Sequence, residues 1–223
     1  MRRKLVVRFA IDGDVRFISH QDTVRLFERA MTRAGWPVRF TEGFNPRPRL
    51  SLPLPRNVGV ASDDEILVVE TEGSIEPDRA LECLAEVLPA GLRLIEIHEA
   101  SAKPKPLRIW YELPVEAPAP HLDAAIQAFL GCDTHVVKRT KEAGSPIREV
   151  DIRPYVETAS REGERLQMVL RVTPQGTARP MEVLDALGLP GTPLAHRLRR
   201  TRVDWSDTGP TATDCGQMEE AAP

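Results

Sequence analysis

The stretch KLVVRFAIDGDVRFISHQDTVRLFERAMTRA, residues 4–34, indicates the fold class, because a strand pattern is followed directly by a helix pattern. Apolar residues alternate from Lys4 to Ile11, as they do in a half-buried strand. Residues 12–18, DGDVRFI, predict a tight turn and a returning strand that completes a β-hairpin. A Ser-x-x-Asp capping box then begins the helix that we predict from Ser19 to Ala34.

Strands and helices continue to alternate after this stretch. A short strand is predicted for residues 38–40 and a longer one for residues 65–71. A helix at residues 77–88 and a strand at residues 92–97 follow. The resulting order, β-α-β-β-α-β with an added β-hairpin, is typical of a ferredoxin-like domain.

A similar pattern recurs beyond residues 100–106, which contain Lys-Pro-Lys-Pro and predict a stiff linker. The predicted elements are strands at 107–115, 134–137, 150–152 and 166–172, helices at 122–129 and 180–187, and a closing strand or helix at 197–205. We therefore expect an α+β protein of two tandem ferredoxin-like domains. These domains would comprise residues 1–99 and 107–206, with a polar, disordered tail at residues 207–223.

Composition narrows the functional classes. Hydrophobic residues make up 41% of the 223 residues, but no apolar run approaches the ~20 residues that span a bilayer. The cysteines are far apart and few, at Cys83, Cys132 and Cys215, so we expect a reducing cytoplasm and no zinc or iron–sulfur site. No nucleotide-binding or nucleophile-elbow motif is present either, and we expect no cofactor.

The charge is unevenly distributed along the chain. The net charge is −3, yet residues 1–56 contain 12 Lys or Arg and 5 Asp or Glu, a local net charge of +7. Six of the eleven aromatic residues also lie in this first part. A basic element with interspersed aromatic residues can bind phosphates and stack on bases. The alternative is that the aromatic side chains belong to the core and the arginines to a solvated face.

The helix predicted at residues 19–34 has a basic ridge. Arg25, Arg29 and Arg33 recur every fourth residue and therefore lie along one side, opposite an apolar stripe. Neighbouring positive charges repel one another, so this ridge is favoured where phosphates or an acidic partner bind it. A solvated face with intrahelical ion pairs would give the same pattern.

Residues 42–50, EGFNPRPRL, predict an ordered binding loop. Gly43 and the Asn45-Pro46 pair set its backbone path, and the prolines reduce its freedom before binding. Arg47 and Arg49 flank a proline, and an extended backbone would direct both guanidinium groups to one side. Such a loop suits phosphate or carboxylate binding.

His20 could take part in general acid–base chemistry, although a capping or structural role is the alternative at a helix start. Two smaller basic groups occur later, one at Lys138, Arg139 and Lys141 and one at residues 196–202. Either group could extend a phosphate-binding track, and either could equally be a solvated charge run.

Several motifs in order resemble a known family. They are RFISHQD at 16–22, RLFERA at 25–30, EGFNP at 42–46, PLP at 53–55, VG at 58–59, VDIRP at 150–154 and RPMEVL at 179–184. Together they resemble the radical SAM-linked protein family, a domain of unknown function. A histidine often follows Asn-Pro in that family, where this chain has Arg47, and this difference weakens a catalytic histidine pair with His20.

The resemblance implies that the chain serves a radical SAM protein, fused to it or encoded nearby, and that this partner acts on RNA. This chain lacks the CxxxCxxC triplet that would hold the cluster, so it is not the radical SAM component. We therefore predict a non-catalytic accessory protein that binds RNA. The alternatives are an adaptor docking on an acidic partner surface and an RNA-processing enzyme using His20. The predicted binding residues are Arg16, Ser19, His20, Arg25, Arg29, Arg33, Phe44, Asn45, Arg47 and Arg49.

Overall fold

A computed structural model describes residues 2–73, 75–116, 120–140 and 146–206. Its strands are β1 (Arg2–Ile11), β2 (Leu50–Ser51), β3 (Ala61–Glu72), β4 (Leu92–Glu99), β5 (Pro106–Pro114), β6 (Val136–Arg139), β7 (Arg148–Asp151), β8 (Val156–Glu162), β9 (Arg165–Arg171) and β10 (Arg199–Trp205). Its α-helices are α1 (His20–Arg33), α2 (Pro77–Ala85), α3 (Pro120–Gly131), α4 (Pro180–Ala186) and α5 (Gly191–Leu194). The mixed α+β class predicted from the sequence is confirmed.

Eight strands form one sheet. The order is β4-β1-β3-β10-β5-β9-β8, with the short β2 pairing with β3 outside this path. Neighbouring strands are antiparallel except for β3 and β10, which are parallel over Ala61 to Ser62 and Arg199 to Arg200. The last strand of the sheet in sequence therefore lies at its centre and joins the two halves of the chain.

Both halves use the same strand order. In the first half the fourth, first, third and second strands are β4, β1, β3 and β2. In the second half the corresponding strands are β10, β5, β9 and β8. The hairpin of β6 and β7 forms a separate two-stranded sheet inserted before β8.

Helix α1 forms where the sequence predicts it. The Ser19 hydroxyl caps the helix by accepting from the Asp22 backbone N–H at 3.1 Å, and it donates to the Asp22 carboxylate at 2.7 Å. Phe27 and Met31 are buried against the sheet, and Phe27 packs edge-on against Phe9 of β1. The capping box and the apolar stripe thus position α1 with its arginines directed away from the core.

The hairpin predicted at residues 12–18 is wrong. Residues Gly13–Phe17 form a 3-10 helix, whose first N–H bonds to the Asp12 carboxylate at 2.8 Å. A returning strand has no free edge to pair with, because β1 is already flanked by β3 and β4. Residues 12–18 therefore do not form the β-hairpin that the sequence predicts.

The second half also differs from its prediction in detail. The strands predicted near residues 134–137 and 150–152 pair with each other as β6 and β7, outside the large sheet. The position beside β9 is taken by β8, which the sequence analysis missed. Only Val156 and Ala159 of β8 are buried. The other residues of β8 are polar or charged, so its alternating apolar pattern is weak.

Two hydrophobic clusters pack on opposite faces of the first-half strands. Leu5 and Val7 of β1 and Leu67 of β3 belong to one cluster, together with α1 and α2. Val6 of β1 and Ile66 of β3 belong to the other, which extends through the second half.

The predicted domain boundaries remain a prediction, and the tail at 207–223 lies outside the described residues. Among the residues described here, no helix is long and apolar enough to cross a membrane.

Candidate functional site

The predicted binding loop is a hairpin, which we call the 39–49 hairpin. The Arg49 backbone N–H donates to the Arg39 carbonyl at 2.7 Å, and the Thr41 N–H donates to the Arg47 carbonyl at 2.9 Å. The Arg47 N–H donates in turn to the Thr41 hydroxyl at 3.0 Å. These bonds, and a bridge between Phe40 and Pro48, hold the two arms together below the tip at residues 42–46.

Phe44 lies at the tip of the 39–49 hairpin. Its side chain is 105% exposed, so it makes no packing contact with the core. Gly43 before it has φ 135, a backbone angle that residues other than glycine rarely adopt. Asn45 and Pro46 are exposed as well. The sequence therefore presents an aromatic ring to solvent on a turn with a defined backbone.

The basic ridge of α1 and the 39–49 hairpin form one groove. Glu28, Arg29, Thr32 and Arg33 line one wall and Pro48 the other, around a volume of about 290 Å³. The groove is shallow and open to solvent. It brings together two features that lie fifteen or more residues apart in the sequence.

The arginines around this groove differ in their ion pairs. Arg25 pairs with Asp22 at 3.1 Å, and Arg49 lies 3.7 Å from Glu70. By contrast, Arg29, Arg33 and Arg47 are exposed and form no ion pair with any residue that the structure describes. Arg29 and Arg33 lie in the groove wall beside Glu28, and Arg47 adjoins the groove residue Pro48 in sequence. Cations without carboxylate partners favour binding of an anionic ligand.

Arg16 and Ser19 do not contribute to the groove. Arg16 lies on the 3-10 helix, where its guanidinium stacks over the Phe17 ring at 5.0 Å and lies 3.6 Å from Asp12. Ser19 caps α1. Both side chains therefore interact with neighbouring residues of their own segment, which gives each of them a structural role.

His20 faces a separate and much smaller cavity of about 10 Å³, lined also by Thr23, Arg56 and Glu65. This volume is close to that of one water molecule. Desolvation lowers the pKa of His20; Glu65 opposes this shift and Arg56 adds to it. The cavity has no room for a nucleotide, and His20 does not line the groove between α1 and the 39–49 hairpin.

The sequence analysis missed the buried charges behind His20. Glu65 bonds to Arg200 at 2.6 Å, and Arg200 also donates to the Tyr111 hydroxyl at 3.2 Å. Arg56 donates to the carbonyls of Arg16 and Val60, and burial lowers the pKa of Arg56. The only signal in the sequence is the acidic run at residues 63–65, inside a strand where apolar residues are expected.

The later basic groups are mostly structural. Arg139 forms a two-pronged bond to Glu182 at 2.7 and 2.6 Å. Arg199 bonds to Asp63 at 2.6 Å, and Arg202 pairs with Asp204 and stacks on the Trp110 ring. Lys138 is exposed and Lys141 lies outside the described residues. None of the described members of these two groups lines the groove.

Comparisons with known proteins extend these observations. A family model described as "Uncharacterized protein conserved in bacteria (DUF2344)" matches residues 4–180, a range that includes α1 and the 39–49 hairpin. No curated protein matches the sequence. The crystal structure of an unknown protein from Galdieria sulphuraria is 12% identical, with 93% of this chain and 99% of that chain covered and a TM-score of 0.27. A TM-score this low supports no comparison of site or fold.

Proposed function

This chain belongs to the DUF2344 family of proteins conserved in bacteria, and we propose that it is a non-catalytic RNA-binding accessory protein. The observation that carries this proposal is the groove between α1 and the 39–49 hairpin. There, Arg29 and Arg33 face Pro48, while Arg47 and Phe44 extend from the same hairpin.

Electrostatics favour an anionic ligand at this groove. Arg29, Arg33 and Arg47 form no ion pair within the described part of the chain, so their charges are available to phosphates. Arginine binds phosphate through a planar fork of N–H donors, and an exposed aromatic ring adds a surface on which a base can stack. A chain with a net charge of −3 has no general attraction to nucleic acid, so a local basic surface would determine where RNA binds.

We propose a radical SAM protein as the partner that this accessory protein serves in the cytoplasm. The support is the ordered series of motifs from residue 16 to residue 184 that resembles the radical SAM-linked family. The unpaired thiols of Cys83 and Cys132 are compatible with a reducing compartment. In this proposal the partner supplies the chemistry and the present chain holds the RNA.

We also propose that the two halves, residues 1–99 and 107–206, are tandem ferredoxin-like units. The support is the identical strand order in the two halves, with antiparallel neighbours within each half. In this interpretation β6 and β7 are an insertion in the second unit.

The proposed function is tested by fluorescence anisotropy with labelled fragments of total bacterial RNA. If three phosphates are neutralised, the affinity of the protein falls about 20-fold between 50 and 200 mM salt. The triple variant Arg29→Ala/Arg33→Ala/Arg47→Ala is expected to lose most of the affinity and most of this salt dependence. The matched control, Arg79→Ala/Arg93→Ala/Arg197→Ala, removes the same charge from exposed positions outside the groove.

Equal loss of affinity in the two triple variants would contradict the proposal, because the charge would then act without regard to position. Absence of RNA binding would also contradict it. Co-purification with a radical SAM partner, lost only in the groove variant, would then identify the adaptor function instead.

A further inference from the structure

The geometry of the groove indicates which form of RNA it accepts, if the proposed function holds. We propose that the ligand is single-stranded RNA, with an unpaired base stacked on Phe44 and the adjoining phosphates bound by Arg29, Arg33 and Arg47.

Phe44 is placed to receive a base. A fully exposed phenylalanine forgoes the stabilisation that burial of its ring would give. The ring at 105% exposure has both faces free, so a base can stack on either. Phe40 on the same hairpin is 47% exposed and pairs through its backbone with Pro48 in the groove wall. Both aromatic side chains therefore belong to the hairpin whose Pro48 lines the basic groove.

The tip holds Phe44 without help from the core. Bonds between Thr41 and Arg47 close the hairpin directly below the tip, at 2.9 and 3.0 Å. Pro46 limits the backbone on one side of the ring, and Gly43 takes a backbone angle of φ 135 on the other. A tip that is ordered before binding loses less conformational entropy when a base stacks on it.

The dimensions of the basic ridge favour one strand over a duplex. Arg25 and Arg33 are eight residues apart, which corresponds to about 12 Å along the helix axis. Domains that bind double-stranded RNA follow about 16 base pairs and contact two successive minor grooves. A ridge of this length can contact only a few consecutive phosphates. In a duplex, moreover, the bases are paired and stacked on each other, so none is free for Phe44.

The test compares two probes of one sequence: a labelled 12-nucleotide single-stranded RNA and the blunt 12-base-pair duplex made from it. We expect the single strand to bind at least 10-fold more tightly. Phe44→Ala is expected to weaken single-strand binding by about 5- to 150-fold, from the ~1–3 kcal/mol that one base–aromatic stack contributes. The matched control is Phe17→Ala, because Phe17 is 50% exposed, lies on the 3-10 helix and does not line the groove.

A second readout uses Phe44→Trp, which keeps an aromatic ring at the tip. Its affinity for the single strand should match that of the wild type, and the new tryptophan fluorescence should be quenched on binding. Equal binding of the two probes, or an unchanged affinity in Phe44→Ala, would overturn the inference. The proposed function would still stand in that case if the arginine triple variant lost binding. Failure of both probes to bind would overturn the proposed function itself.

Discussion

Glu65 and Arg200 form the most deeply buried ion pair that the structure describes, with side chains 6% and 1% exposed. Asp63 and Asp64, which precede Glu65, also bond to arginines, Arg199 and Arg8. Each carboxylate of residues 63–65 thus forms an ion pair with an arginine of β10 or β1. Removing one member of a buried pair leaves a charge without its partner in a place that water does not reach.

We therefore expect Glu65→Gln to lower the free energy of unfolding by about 3–5 kcal/mol. The measurement is urea denaturation followed by circular dichroism. Glu82→Gln serves as the control, because Glu82 is exposed on α2 and should change stability by less than about 0.5 kcal/mol. Equal midpoints for the two variants would show that the Arg200 charge is stabilised without Glu65.

His20 gives a prediction about pH. Its folded pKa lies below the ordinary value near 6.5, mainly because burial disfavours the charged ring. The unfolded chain therefore binds a proton more readily than the folded one. The contribution of His20 to the free energy of unfolding is therefore complete above pH 6.5. It decreases as the pH falls through that value towards the folded pKa.

We expect the urea midpoint of the wild type to fall between pH 7.5 and pH 5.5 by more than that of His20→Gln. The other histidines contribute equally to both proteins, so the difference between the two isolates His20. If His20 were instead a catalytic base in RNA processing, turnover of bacterial RNA by the wild type would be lost in His20→Gln. An identical pH response in both proteins would contradict the burial of this ring.

Some residues could be identified from the sequence and others could not. The Ser19 cap follows from spacing alone, because its partner Asp22 is three residues away. Arg56 and Glu65 line the cavity beside His20, yet they lie 36 and 45 residues beyond it, and no local pattern relates them. The ion pair of Arg49 with Glu70 was missed for the same reason.

At the scale of elements, the 3-10 helix at Gly13–Phe17 depends on a close approach by Gly91. The Asp12 N–H donates to the Gly91 carbonyl at 2.8 Å. A Cβ atom at Gly91 would lie 2.5 Å from the Asp12 carbonyl oxygen and 2.8 Å from Val15. Gly91 also has φ 91, so two separate costs oppose a side chain there.

Gly91→Ala is expected to destabilise the protein more than Gly73→Ala does. Gly73 has φ 99, but none of the described residues places an atom within 4 Å of an added Cβ, so its variant bears the backbone strain of about 1–3 kcal/mol without this clash. The additional loss in Gly91→Ala measures the steric clash. Thermal unfolding of both variants gives the comparison, and equal losses would show that the 3-10 helix moves aside.

The long elements were predicted because their periodic patterns are strong. Helix α1 and strand β1 contain several buried apolar residues at regular spacing, and β3 contains a continuous run of them from Ile66 to Val69. The misplaced hairpin at residues 12–18 shows the limit, since β1 gains partners on both sides only after residue 60. Strand β8 was missed because pairing with β9, rather than its own apolar residues, makes it a strand.

At the scale of the whole molecule, strands β1 and β3 contribute to both hydrophobic clusters. Loss of either cluster removes packing from the strands that support the other. We therefore expect one cooperative unfolding transition, although the sequence predicts two domains.

The three tryptophans allow this to be measured. Trp36 belongs to the first-half cluster, whereas Trp205 belongs to the other. One variant, Trp110→Phe/Trp205→Phe, keeps Trp36, and the other, Trp36→Phe, keeps Trp110 and Trp205. In each variant, the urea midpoint measured by tryptophan fluorescence should equal the midpoint measured by circular dichroism. Separate fluorescence and circular dichroism midpoints within one variant would show that the halves unfold independently.

The central position of β10 has a consequence for synthesis of the protein. Strand β4 ends at Glu99, whereas β10 begins at Arg199, so about 100 residues must be translated between them. At 5–20 residues per second, the ribosome needs on the order of 5 to 20 s for that interval. During this time the part of the β3 edge at Ala61 and Ser62, which later pairs with β10, is unpaired, and exposed strand edges promote aggregation. Nascent chains stalled before residue 199 should therefore depend on chaperones, while chains released after Trp205 should not.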